Sequence, residues 1–241
     1  MQIDVHLVPS PPGPDVLANR AVVVMDVLRA TSVIVHAMQH GAKKILPVTR
    51  VEEAFSKRET LSPQATLLGG ERQSWKISGF DLGNSPREYA GEVVKGKTLV
   101  LMTTNGTRAF HAVAGGRVIL VGSFFNMTAL ARKCVALDLD LLVFLSGDQG
   151  SFSLEDGVCG GMVIDRILGM EKGSVHLTDA SRATHALYQR FEMNLLEALH
   201  LSKHGRELAE LGLGDDLAYC AQIDVTDLVP TFRDGVISVG P

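Results

Sequence analysis

Short apolar runs that stop in polar loops organise this chain. Leu99 to Met102 (LVLM) reads as a buried strand covered on both faces. It ends in Thr103, Thr104, Asn105, Gly106 and Thr107, after which Ala109 to Val113 can continue as a helix. The same plan occurs earlier. Ala21 to Met25 (AVVVM) is a strand with Asp26 at its end. The following VLRATSVIVHAMQHG fits a helix with Thr31 or Ser32 near its start and Gly41 as its C-cap, and Ala42 to Val48 is the next strand. Ile3 to Val8 alternates with Asp4 and His6 on the face opposite Ile3 and Val5, and Ala65–Glu71, Ile119–Gly122 and Asp140–Ser146 add further strands. SFSLEDGVCGGMVIDRIL reads as a helix opening with Glu155 and Asp156. Asp179 to Leu213 is mainly amphipathic helix, and two short strands close the chain around Tyr219–Asp224 and Gly235–Val239.

Strands alternating with helices predict a layered α/β fold, its sheet mostly parallel or mixed, with helices on both faces. No Pro- or Ser-rich linker divides the chain, so one domain over residues 1–241 is expected. RATSVIVHAMQHG and TRAFHAVAGG share an Arg-Ala start and a later His-Ala. Residues 21–48 and 99–121 are therefore either two similar βαβ units or convergent patterning.

Composition narrows the function classes. Hydrophobic residues make up 46% and charged residues 21%, an ordinary soluble balance, and the net charge of −4 gives no electrostatic footprint for nucleic acid. An anionic ligand must be caught by local arginines and backbone. The start, MQIDVHLVPSPPGPD, lacks a signal-peptide pattern, and no apolar run reaches membrane-spanning length. Three widely spaced cysteines, Cys134, Cys159 and Cys220, fit a reduced cytoplasm and argue against a disulfide framework or a structural zinc. A P-loop, a G-x-S-x-G elbow and an H-E-x-x-H helix are all missing from the sequence.

The candidate chemistry lies where the strands end. Asp26, Glu71, Thr103, Ser123 and Asp148 each follow a predicted strand, and parallel strands would bring them to the carboxyl edge of one sheet, where ligands of open α/β folds bind. Carboxylates (Asp26, Glu71, Asp148, Glu155, Asp156) together with arginines (Arg29, Arg72, Arg87, Arg108) suit a hard cation and a phosphorylated or sulfonated ligand. The loop Thr103 to Thr107 offers backbone N–H groups at a helix start. Each residue also has a plainer reading. Asp26, Thr103 and Asn105 can simply cap helices, Glu155 and Asp156 can favour a helix N-terminus, arginines are commonly solvated, and Cys159 suits a buried packing role.

Several blocks in one order carry a more specific signal: IDVHLVPSPPGPD, VVVMDVLRATSVIVHA, LLGGERQSWKISGFDLGNSPREY, TTNGTRA, SGDQGSFSLEDGVCGG and VPTFRDGVI. Together they resemble the 2-phosphosulfolactate phosphatase (ComB) family nearly end to end. The resemblance implies a Mg²⁺-dependent phosphomonoesterase that converts (2R)-2-phospho-3-sulfolactate to (2R)-3-sulfolactate and phosphate, a step of the kind used in coenzyme M biosynthesis. On that reading Asp26, with Glu71 or Asp148, helps hold Mg²⁺. Thr103, Thr104, Asn105, Gly106 and Thr107 cradle an anionic group, and Arg29, Arg72, Arg87 and Arg108, with Asn84 and Ser123, complete the substrate site. Glu155 or Asp156 activates water or protonates the leaving alkoxide. A phospho-enzyme on Asp26 or Cys159 stays open, as do a homodimer, another small phosphorylated acid as substrate, and a non-catalytic binder of such acids.

Overall fold

A computed structural model describes residues 1–240; Pro241, the last residue of the expected domain span, lies outside the described residues. The strands are β1 (Gln2–His6), β2 (Arg20–Met25), β3 (Lys44–Val48), β4 (Thr66–Arg72), β5 (Trp75–Lys76), β6 (Thr98–Met102), β7 (Val118–Gly122), β8 (Asp140–Leu145), β9 (His176–Leu177), β10 (Thr231–Arg233) and β11 (Val236–Ser238). The helices are α1 (Pro14–Ala18), α2 (Ala30–Gln39), α3 (Val51–Thr60), α4 (Gly91–Val94), α5 (Gly106–Ala112), α6 (Met127–Leu137), α7 (Leu154–Met170), α8 (Asp179–Phe191), α9 (Leu195–Leu201), α10 (Lys203–Glu210) and α11 (Asp215–Cys220).

All the strands join one 11-stranded mixed sheet in the order β5-β4-β6-β3-β11-β10-β7-β2-β8-β1-β9. Two parallel blocks, β4-β6-β3 and β7-β2-β8-β1-β9, are joined by the antiparallel hairpin β10–β11. Counted through the hairpin, β7 runs opposite to β3. The close approach of Gly106, after β6, to the Asp26 side chain, after β2, shows that the carboxyl ends of the two blocks do meet.

Alternation within the strands divides the core. Along β2, Val22 and Val24 face a middle layer with residues of α2 and α5, while Ala21, Val23 and Met25 face an outer core with α6, α7 and α8. A third cluster, including Ala54 of α3, covers the far face of β4-β6-β3. Helices thus lie on both faces, as the pattern predicts. The segments 21–48 and 99–121 differ from simple βαβ units, because β2 and β3 are not neighbours and neither are β6 and β7. Instead α2 and α5 carry the chain between the two blocks, and the pairs β6-β3 and β7-β2 hold mirrored places about the hairpin.

Local readings hold for most strands and fail at Tyr219–Asp224. That stretch begins inside α11, and the strand expected there lies further on, at Thr231–Arg233. Leu217 and Cys220 are buried at helical spacing, and Asp215 and Asp216 sit in the first turn, where a helix dipole favours acidic side chains. The long amphipathic region is broken into α8, α9 and α10 by side-chain caps: Asn194 accepts from the Glu197 N–H and Ser202 from the Gly205 N–H.

Phe110 of α5 is fully buried in the middle layer, its ring centroid 5.4 Å from that of Phe232 on the hairpin. Phe110→Ala is expected to lower unfolding free energy by about 3–5 kcal/mol in a urea titration. A loss below about 1 kcal/mol would contradict a sheet-lined middle layer.

Candidate active site

Strand register sets the first row of the site. Met25 pairs with Gly122 on one side and Leu145 on the other, so Ser123, Asp26 and Ser146 leave their strands side by side. In the other block Gly70 pairs with Met102, which places Glu71 beside Thr103. Asp26 does part of a capping job: its Oδ1 accepts from the Ala30 N–H at 3.1 Å. Its Oδ2 lies against Gly106, where a Cβ would sit 2.7 Å from that oxygen and 2.5 Å from the Ala30 Cβ. Only glycine lets the two loops approach this closely.

Three more carboxylates stand at this end, each buried. Glu71 Oε1 accepts from the Thr104 N–H at 2.7 Å, and Oε2 accepts from the Ser74 N–H at 2.9 Å and the Thr104 hydroxyl at 3.1 Å. Asp156 Oδ1 accepts from the Val27 N–H at 2.8 Å and Oδ2 from the Gly147 N–H at 3.2 Å, which ties the loop after β2 to the loop after β8. Glu155, its neighbour in the first turn of α7, has a buried Oε2 without a hydrogen-bond partner among the described residues.

This crowding is read in the acidities. Burial pushes the Asp26 carboxyl up to about 7, and Glu71 and Glu155 push the same way, against the pull of the Ala30 N–H and Arg29. Burial, with Asp26 and Glu155, holds Asp156 well above the usual carboxylate range. Arg29 is itself buried and spends its charge elsewhere, donating to Asp216 Oδ2 at 2.7 Å and to the Ser74 carbonyl at 3.0 Å. Asp216 Oδ1 accepts from the Ser85 hydroxyl at 2.6 Å. Arg29 Nε, also buried, has no partner among the described residues.

The Thr103–Thr107 loop is less open than its composition suggests. Thr103 and Thr107 bond each other reciprocally, N–H to hydroxyl in both directions at 3.0 and 3.2 Å. Thr104 serves Glu71, and Asn105 Oδ1 accepts from the Gln149 N–H at 3.4 Å. Two cavities meet on this loop, sharing Thr104, Asn105 and Gln149. The smaller, about 250 Å³, is walled by Glu71, Asp148, Glu207 and Glu210. The larger, about 660 Å³, holds Arg108, His111, Thr49 and Ser146.

The remaining expected residues are placed as follows. Asp148 Oδ2 accepts from Lys203 at 2.5 Å. Arg72 is exposed at the end of β4, and Arg87 pairs with Asp215 at 3.0 Å near the surface. Asn84 and Ser123 are buried, with Asn84 Oδ1 and the Ser123 hydroxyl unpartnered among the described residues. Cys159 is packed in the core of α7, and burial, reinforced by Asp156, pushes its thiol well above the ordinary range, so a thiolate is disfavoured there. Among the described residues no three His, Cys, Asp or Glu side chains form a ready metal cage. The sequence reading missed Asp216, Ser146 and Lys203 as site residues. Asp216 lies 187 residues from Arg29, and no local pattern links them. Ser146 carried a signal in its strand-end position beside Asp26.

Comparison with known proteins fits this end of the molecule. A family model for 2-phosphosulpholactate phosphatase matches residues 8–235. The chain is 42% identical over 233 residues to a probable 2-phosphosulfolactate phosphatase of Clostridium novyi, covering 97% of each chain. It is 40% identical over 238 residues to one from Clostridium tetani, covering 98% of this chain and all of that one. A relative of the same name from Caldanaerobacter subterraneus is 39% identical over 221 residues, covering 92% and 91% of the two chains. With buried carboxylates at the sheet end and a match along nearly its whole length, the chain belongs to the 2-phosphosulfolactate phosphatase family and is an enzyme of the phosphatase class.

Proposed function

We propose that this enzyme hydrolyses (2R)-2-phospho-3-sulfolactate to 3-sulfolactate and phosphate, a coenzyme M type of step, with Mg²⁺ held by Asp26 and Glu71. The family match and the names of the relatives support the reaction. The observation that carries the cation is the charge balance: Asp26 is raised to about 7 by burial and by Glu71 and Glu155, and the nearby Arg29 is already paired with Asp216. A substrate with three anionic groups is repelled from such a cluster unless a cation intervenes. The donor set suits Mg²⁺, being all oxygen, with Asp26 Oδ2 accepting no hydrogen bond among the described residues. One or two carboxylates suffice, because Mg²⁺ keeps several waters and takes further oxygens from phosphate. Asp148 borders the same small cavity as Glu71 and supplements it. Bound there, Mg²⁺ would polarise the phosphoryl group and offset its charge.

The protein's own groups then divide the work. Glu155 exchanges a proton at its free oxygen, with the attacking water or with the leaving alkoxide. Asp156 fixes the loops after β2 and β8 through two backbone N–H groups and has no oxygen left idle. Arg29, held by Asp216, secures the Ser74 carbonyl, and the Ser74 N–H secures Glu71.

Phosphate release from phosphosulfolactate, with Mg²⁺ or with a chelator, against a panel of other phosphomonoesters tests the reading. Release that requires Mg²⁺ and prefers phosphosulfolactate is expected. Preference for another ester would reassign the substrate, and binding without release would remove the enzyme reading.

Glu155→Gln is expected to lower kcat by about 10²- to 10⁴-fold with little change in KM. A normal kcat would assign the proton transfer elsewhere. Asp26→Asn should cost at least about a hundredfold in activity, the scale of a lost charge-stabilising contact. It should also stabilise the metal-free protein. An unfolded Asp26 ionises near 3.8 and the folded one near 7, so its burial weakens the fold progressively as pH rises through that window. The Asn variant escapes this, and its Tm at pH 8 should exceed that of the wild type by several degrees, at about 2–4 °C per kcal/mol. A Tm equal or lower would remove the strain assigned to Asp26.

A further inference from the structure

The two cavities that meet at Thr104, Asn105 and Gln149 have opposite characters. The smaller is walled mainly by carboxylates, Glu71, Asp148, Glu207 and Glu210, with His204 as its one basic side chain. The larger has no Asp or Glu in its lining among the described residues, and its charged group is Arg108, with His111 one turn further along α5. The Arg108 side chain is exposed, lines this cavity and makes no hydrogen bond or ion pair with another described residue, which leaves its donors free. His111 is tethered, its Nε2 3.1 Å from the Pro47 carbonyl oxygen. The Ser146 hydroxyl is a second, independent sign of a ligand. Ser146 is 1% exposed, lines this cavity, and its oxygen has no partner among the described residues. An orphaned buried hydroxyl costs free energy that a bound polar ligand recovers. Pro9 and Pro11 form part of the wall and restrict the backbone there.

Resting on the phosphatase reading, we propose that the larger cavity is the subsite for the substrate's non-transferred acid group, with Arg108 as its counter-ion and Ser146 as a hydroxyl donor. The substrate then lies across the shared Thr104–Asn105 rim. Its phosphate faces the acidic cavity, where a cation is needed, and its remote sulfonate or carboxylate faces the cavity where the protein itself supplies the cation. The same division makes Arg108 a specificity-determining residue. A planar guanidinium recognises sulfonate and carboxylate oxygens in pairs, and an ester lacking that group leaves it unanswered.

The test compares three phosphate esters: phosphosulfolactate, phosphomalate, which carries a carboxylate in place of the sulfonate, and 2-phospholactate, which ends in a methyl group. In the wild type KM should rise at least tenfold from phosphosulfolactate to 2-phospholactate, and the position of phosphomalate ranks sulfonate against carboxylate. In Arg108→Ala the KM ratio should collapse to within about twofold, and Arg108→Lys should restore part of it. An equal loss on all three esters would overturn the proposal, because Arg108 would then serve the phosphate. Binding of 3-sulfolactate by calorimetry separates this from the catalytic reading, since the ligand has no phosphate to release. Binding that weakens at least tenfold in Arg108→Ala upholds the subsite even if no ester is hydrolysed. Binding unchanged by the substitution removes the subsite even if hydrolysis is fast. Circular dichroism and Tm confirm that the variant at this exposed position is folded.

Discussion

The placement of four carboxylates in one buried end governs this molecule. Asp26, Glu71, Glu155 and Asp156 are each less than a tenth exposed. Burying ionised carboxylates together is costly, and the protein limits the cost in two ways. Backbone N–H groups of Ala30, Val27, Gly147, Ser74 and Thr104 satisfy several of the oxygens. The rest of the cost shows as weakened acidity, with burial pushing Asp26 up to about 7. A second arginine inside the cluster would have relieved it. Instead, the buried Arg29 is paired with Asp216.

The fold makes this arrangement mechanically secure. Parallel register delivers Ser123, Asp26 and Ser146 as one row and Glu71 and Thr103 as another. The two rows meet where Gly106 lies against Asp26 and Ala30, and α2 and α5 are held in an apolar layer beside them. Two bonds of Asp156 and the missing side chain of Gly106 then lock the loops against each other. Polar groups held by strand ends and peptide donors are fixed in advance, the condition under which fixed dipoles act best.

Much of this end was legible in the sequence because it depends on local pattern. Apolar runs locate the strands, and the residue after each run is an observation that needs no pairing information. Asp26, Glu71, Thr103, Ser123 and Asp148 were found in that way. Strand order was not legible, because it depends on contacts such as Ile45 with Ile237, far apart in the chain. For the same reason Asp216 stayed hidden, and with it the neutral state of the Arg29 pair. The loop Thr103–Thr107 looked like a free anion cradle. Its donors turn out to serve one another and Glu71, which depends on a neighbouring strand that composition does not reveal. Tyr219–Asp224 was misread because a short apolar run has no period of its own, and its place in α11 depends on Leu217 and Cys220 meeting the core.

The central claim is that the carboxylate cluster is a cation site whose occupancy relieves its own crowding. Calorimetric titration of Mg²⁺ into the purified protein near pH 6.5, repeated in buffers of different ionisation enthalpy, tests it without substrate. One site per chain and a net release of protons on binding are expected, because Asp26, pushed up to about 7, is partly protonated at that pH and must give up its proton. The release should vanish in Asp26→Asn. Absence of binding, or binding with the same proton count in wild type and Asp26→Asn, would contradict it.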